Sequence, residues 1–186
     1  GNGLNNAAYR EITVASNRNI AFIADSVNRC PWDTQIPPMP STTNTYTHCT
    51  IPAVYAWRGV DPAVLVSPLD VPAEGRFHVA AKVHANDDGT WRYEYAVHNV
   101  DNSRGGATFR VPTNPSATVS NFTFGDIDDN ALNDWTAVHA GNQVVFTAPS
   151  TNPLDWNTIY NFGFDSNVAP GGGVIESAHM SEDLFM

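Results

Sequence analysis

The chain has 186 residues, 42% of them hydrophobic, enough to bury one core without asking for a second domain. Nine basic residues against nineteen acidic ones leave a formal net charge of −10, and Lys82 is the only lysine. Such a surface repels phosphate backbones and anionic membranes, so nucleic acid is not an expected partner, while local carboxylate clusters favour cations.

Helix signals are weak along the whole chain. Short runs rich in Val, Ile, Thr and aromatics recur, broken by Asn, Asp, Gly and Pro. The expected fold is therefore an all-β, antiparallel, sandwich-like domain spanning 1–186, with long loops and few or no helices. No apolar stretch reaches transmembrane length, so a targeting segment is expected to be absent or already removed.

In chain order, REITVAS (10–16) and NIAFIAD (19–25) are the first expected strands, followed by a Pro-rich loop segment at about 30–52. This segment is bounded by the only two cysteines, Cys30 and Cys49. Pairing them would close a loop whose chain-entropy stabilisation is roughly 3 kcal/mol, and would imply an exported protein. A thiolate at Cys49 beside His48, as nucleophile or metal ligand, is the competing reading. Adjacent residues in an extended segment point to opposite sides, so that pair converges only where the backbone turns.

VYAWRG (54–59) and AVLVSPLDV (63–71) continue the series. The most regular part comes next. RFHVAAKVHA (76–85) alternates Phe77, Val79, Ala81 and Val83 against His78, Ala80, Lys82 and His84. After the turn signal NDDG, WRYEYAVHN (91–99) alternates Trp91, Tyr93, Tyr95 and Val97 against Arg92, Glu94, Ala96 and His98. The two runs predict one hairpin whose aromatic face packs on a core or a second sheet, with His98 on the more polar face. ATFRV (107–111), SNFTFGDI (120–127), NQVVFTA (142–148), WNTIYNFGFDS (156–166) and GVIES (173–177) supply further strands, enough for two packed sheets.

The six histidines, His48, His78, His84, His98, His139 and His179, form no HExxH or His-x-His pattern, and no CxxC is present. A histidine site must therefore be assembled from distant parts of the chain. A lone histidine on a strand is ordinarily a partly exposed polar side chain, and His78, His84 and His139 are read that way. His179 stands near Met180 and Met186, which carry soft sulfur, but in a terminal segment. No GxSxG elbow marks a serine hydrolase, and no carboxylate pair is singled out for glycoside hydrolysis.

GDIDDN (125–130) gathers the hard oxygen donors Asp126, Asp128, Asp129 and Asn130, with Asp134 shortly after, but lacks the EF-hand frame. A calcium-stabilised loop and a solvated acidic turn both fit. DNSRGG (101–106) is a weaker oxygen-rich loop.

WRYEYAVHN, then DNSRGGATFRVP, then WNTIYNFGFD resemble the core of the secreted and surface copper(I)-binding proteins of methane-oxidising bacteria, the MopE and CorA-like family. CorA here is the copper-repressed surface protein, not the magnesium channel. The resemblance runs from about residue 45 to 170 and is closer to the shorter, surface protein. It implies a secreted or outer-surface β-protein that holds one copper(I) between two histidines, and because such a pair is neither a histidine brace nor a blue-copper set, an enzyme is not expected. Residue by residue, these fall on His48 in TYTHC and His98 in YAVHN. In the longer member a tryptophan oxidised to kynurenine, two residues before the first histidine, is a third ligand. That position is Tyr46 here, which cannot become kynurenine, and Trp32 or Trp57 would replace it only if the fold brings one close. The resemblance also implies a bound calcium ion.

Chemically, copper(I) accepts neutral imidazoles at low coordination number, and copper is expected to leave as the histidines protonate below about pH 6 to 6.5. The expected function is copper(I) acquisition, storage or surface sequestration, with an outer-membrane or periplasmic redox protein as partner. The alternative is a calcium-stabilised carbohydrate-binding or adhesion module, with Trp135 and Trp156 as rings for stacking on sugar.

Overall fold

The computed structural model describes residues 51–171 in full, together with Ser16 and the backbone of four two-residue strands earlier in the chain. These strands are β1 (Ala8–Tyr9), β2 (Thr13–Val14), β3 (Ile20–Ala21) and β4 (His48–Cys49), with β1 paired to β4 and β2 to β3, both antiparallel. The short β2 and β3 fall inside the two expected N-terminal runs. Tyr46, Trp32, Cys30, the side chains of His48 and Cys49, and hence the expected disulfide, lie outside the described residues, as do GVIES and His179.

VYAWRG does not continue the strand series. It forms a helix, α1 (Tyr55–Val60), entered through turns in which Tyr55 N donates to Pro52 O and Ala56 N to Ala53 O. The strand reading followed the aromatic and β-branched content, a weak local preference that tertiary packing overrides. The packing is visible: Val54, Tyr55, Trp57 and Val64 lie on a shelf of small residues, Ala80 and Ala96. At the far end Asp61, the C-cap, pairs with Lys82 on the sheet beneath.

The following strands are β5 (Leu65–Val71), β6 (Gly75–Ala85), β7 (Trp91–Asn99), β8 (Thr108–Pro112), β9 (Val119–Gly125), β10 (Thr136–Ala140), β11 (Gln143–Thr147) and β12 (Ile159–Ser166). They form a five-stranded sheet of order β5-β6-β7-β12-β9 and a three-stranded sheet of order β10-β11-β8, every pair antiparallel. The fold is all-β and sandwich-like, as expected, and α1 is the one helix among the described residues. No helix of the described residues is long and apolar enough to cross a membrane.

The β6–β7 hairpin turns where predicted: Asn86 N donates to Thr90 O, Gly89 N to Asn86 O, and Gly89 takes a φ of 84° that a side chain would disfavour. Its aromatic face enters the inter-sheet core. Phe77, Tyr95 and Val97 meet Phe109, Val111, Val144 and Phe146 from the smaller sheet, and Phe162 and Phe164 from β12. Ring centroids stand 4.8 Å apart for Phe109 and Phe162, 5.0 Å for Phe146 and Phe162, and 5.4 Å for Tyr95 and Phe109. Each fully buried ring contributes about 2–3 kcal/mol, so this layer dominates the stability of the sandwich. Trp135 belongs to it too, buried, with Nε1 donating to Asn152 O at 2.8 Å. It therefore presents no ring for stacking on sugar. The strand β10 beside it was not anticipated, being short and weakly patterned.

Candidate metal centre

The second face of the large sheet, expected to be the polar one, is covered by α1, and this burial creates the site. Strands β6 and β7 are registered so that His78 stands directly opposite His98, flanked by the pairs Phe77 with Asn99 and Ala80 with Ala96. Both histidines are only 3% exposed. Facing positions of an antiparallel pair place Cβ atoms roughly 5 Å apart, within reach of two imidazoles converging on one ion. Nδ1 and Nε2 of His78 and Nδ1 of His98 have no hydrogen-bond partner among the described residues. A buried polar atom left without a partner costs about 1–3 kcal/mol, so three in one place need an explanation.

The electrostatics keep these rings neutral. Burial pushes His78 down to about 4, with the neighbouring His98 ring adding to the effect. Burial also pushes His98 down, against an opposite pull from the Asn157 side chain. Proton competition at the pair is thereby displaced below the pH 6 to 6.5 expected of ordinary imidazoles. Neutral nitrogen donors are what a metal ion requires of histidine.

The pair is held from several sides. Tyr55, delivered by α1, packs edge-on against His78 with ring centroids 5.3 Å apart. Just past His98, the fully buried Asn99 donates from Nδ2 to Asn102 O at 2.9 Å and to Leu154 O at 3.0 Å, and its Oδ1 accepts from Asn102 N at 2.9 Å. On β6, Arg76 N donates to Asp101 Oδ1 at 2.7 Å and Val100 N donates to Arg76 O at 3.0 Å. Gly75, at φ 138°, lets the two segments approach: a Cβ there would lie 2.8 Å from Asn102 Cα. Both histidines thus sit on backbone that cannot easily shift. Asp70, the nearest carboxylate along β5, is engaged by the Arg76 guanidinium.

The other expected ligands fare differently. His48 has its backbone in β4, opposite Tyr9. It precedes Tyr55 by a span of at most about 25 Å of extended chain. Trp57, on α1, borders a groove with Arg92, Glu94, Thr123 and Asn161, further along the strands than the histidines. Among the described residues, Tyr55 is the aromatic ring in contact with His78. His84 lies 3.8 Å from Glu94 near the surface, and His139, half-buried, meets Thr113 Oγ1 at 3.1 Å.

The acidic loop is largely closed on itself. Asp126 Oδ1 accepts from Asp128 N at 3.0 Å, Asp128 Oδ1 from Asn130 N at 2.7 Å, and Asp126 Oδ2 from Asn152 Nδ2 at 2.5 Å. Asp128, Asp129 and Asn130 are exposed. In DNSRGG, Asp101 and Asn102 are used as clamps, Asn102 Oδ1 accepting from Arg104 N at 3.0 Å. Among the described residues no three His, Cys, Asp or Glu side chains group as a metal cluster.

His78, expected to be a partly exposed polar side chain, is instead buried, because α1 covers its face of the sheet. The signal was present: the Asn86–Gly89 turn sets a register in which residues 78 and 98 must face each other. No protein-family model, curated protein or solved structure matches the chain.

Proposed function

We propose that this protein binds copper(I) at the cell surface or in secreted form, through His98 and His48, for acquisition, storage or sequestration of the metal. The observation that carries the proposal is the state of His98: a neutral, buried imidazole on a rigid strand, with Nδ1 unpartnered among the described residues. The donor chemistry favours a monovalent ion. Electrostatic solvation cost scales with the square of the charge, so burying a divalent ion among neutral ligands costs about four times as much as burying copper(I). Copper(I) also tolerates few ligands, and imidazole is an acceptable one. The role proposed is binding and transfer rather than catalysis. An outer-membrane or periplasmic redox protein is the proposed recipient.

Metal analysis by plasma mass spectrometry tests this on the protein as purified and after copper(I) loading, beside the double variant His48→Ala, His98→Ala. One copper per chain, lost in the variant, is the expected result. Equal copper in both proteins, or none in the parent, sinks the proposal.

A second reading, a calcium-stabilised carbohydrate-binding or adhesion module, draws on Trp156. Its ring is 58% exposed and is oriented by the Nε1 donation to Val100 O at 2.8 Å. An exposed, fixed indole is suited to stacking on a sugar face. Glycan binding that survives copper removal and disappears in Trp156→Ala would favour it; calcium at the Asp126, Asp128, Asp129 and Asn130 loop would then raise thermal stability.

A further inference from the structure

We propose that His78 is a ligand of the same metal centre as His98, the two imidazoles forming on facing positions of β6 and β7 a rigid two-nitrogen clamp for one monovalent d10 ion. The inference rests on the copper(I) reading above and adds a ligand that the resemblance does not assign.

Three observations converge on it. The register puts the two rings opposite each other on one face of the sheet. Each ring is buried, and three of their four nitrogens have no partner among the described residues. The backbone on both strands is pinned, by Asp101 on the His78 side and by Asn99 on the His98 side. A histidine kept only for packing would be better replaced by an apolar residue of similar size, since removing unpartnered buried polar atoms is neutral or stabilising. A residue that costs stability where it sits, and stands opposite a second such residue with an unpartnered nitrogen, has the character of a functional group. Tyr55 closes the site edge-on against His78, shielding the clamp from water.

The test compares the full-length protein with His78→Leu, His98→Leu and His48→Ala. Copper(I) affinity is read anaerobically by competition with a chromophoric copper(I) chelator, and the thermal midpoint of each metal-free protein is measured in parallel. His78→Leu is expected to weaken copper(I) at least ~100-fold, while its metal-free midpoint stays level with the parent or rises. A folded His78→Leu that binds like the parent, while the His98 and His48 variants lose copper, overturns the clamp and leaves the proposed function standing. A parent that binds no copper(I) overturns both. Should His78→Leu not fold, the imidazole nitrogen resonances of the parent decide, because copper(I) is diamagnetic. Shifts at both His78 and His98 on adding one equivalent are expected; a shift at His98 without one at His78 overturns the clamp.

Discussion

Acidifying the metal-free protein should weaken it in a window set by the buried histidines. An ordinary imidazole titrates near 6.5, the value taken for the unfolded chain, whereas His78 in the fold is pushed down to about 4 by burial and by His98. Between these limits the unfolded chain binds a proton that the native state refuses, so stability is fully present above 6.5 and falls as the pH drops towards 4. Each pH step is worth ~1.4 kcal/mol, which sets a ceiling of roughly 3 kcal/mol for His78; water entering around the ring on protonation lowers this to about 2 kcal/mol. His98 acts with the same sign. The charges facing His78 partly offset one another: Arg76 and His98 disfavour its charged form, whereas Asp70 and Asp101 favour it. Asp61, Asp70, Asp88 and Asp165 are held below the ordinary carboxylate value of 3.8, so their contributions are lost only at lower pH. Urea unfolding in the presence of chelator at pH 7.5, 6.5, 5.5 and 4.5, run beside His78→Leu, separates these effects. The parent should lose about 2 kcal/mol more than the variant across the series. Parallel curves, or a parent that gains on the variant as the pH falls, would refute the assignment of a buried neutral pair.

Phe162→Ala should cost about 3–5 kcal/mol in urea unfolding, because this ring lies against Phe109, Phe146 and Trp135 across the inter-sheet core; a loss below ~1 kcal/mol would mean that the two sheets do not meet there. Gly163→Ala places a Cβ 2.5 Å from Arg92 Nη2 and 2.7 Å from Thr123 Oγ1. It should displace the guanidinium from Asp165 and lower stability by about 1–3 kcal/mol, measurable as a lower thermal midpoint. Asn99→Ala leaves the buried backbone N–H and C=O of Asn102 unpartnered and removes one of the two hydrogen bonds that Leu154 O accepts, for a loss of about 3 kcal/mol. It should also weaken copper(I) binding by loosening the strand that carries His98, whereas unchanged affinity would argue against a pinned site.

How far the sequence could be read follows the range of the interactions involved. The β6–β7 hairpin was legible because alternation and an Asn-Asp-Asp-Gly turn are local, and so was the inward aromatic face. Helix α1 was not, because its stability comes from Ala80 and Ala96, small residues more than twenty positions away that make room for it. The same helix turns the supposedly polar face into a buried one, which is why His78 read as an ordinary surface histidine. The insertion of β12 between β7 and β9 was beyond local reasoning, since strand order is decided by packing between distant segments. His98 stood out only through resemblance. Its partner across the strand could have been found from the turn register by physical reasoning alone.

X-ray absorption at the copper edge of the copper(I)-loaded protein probes the central claim most directly, because it reports both the oxidation state and the elements bound to the metal. A copper(I) edge, a first shell of nitrogen only, and the outer-shell scattering of imidazole rings, reduced in His98→Leu, are the expected result. A sulfur atom in the first shell, or a spectrum without imidazole scattering, would contradict it.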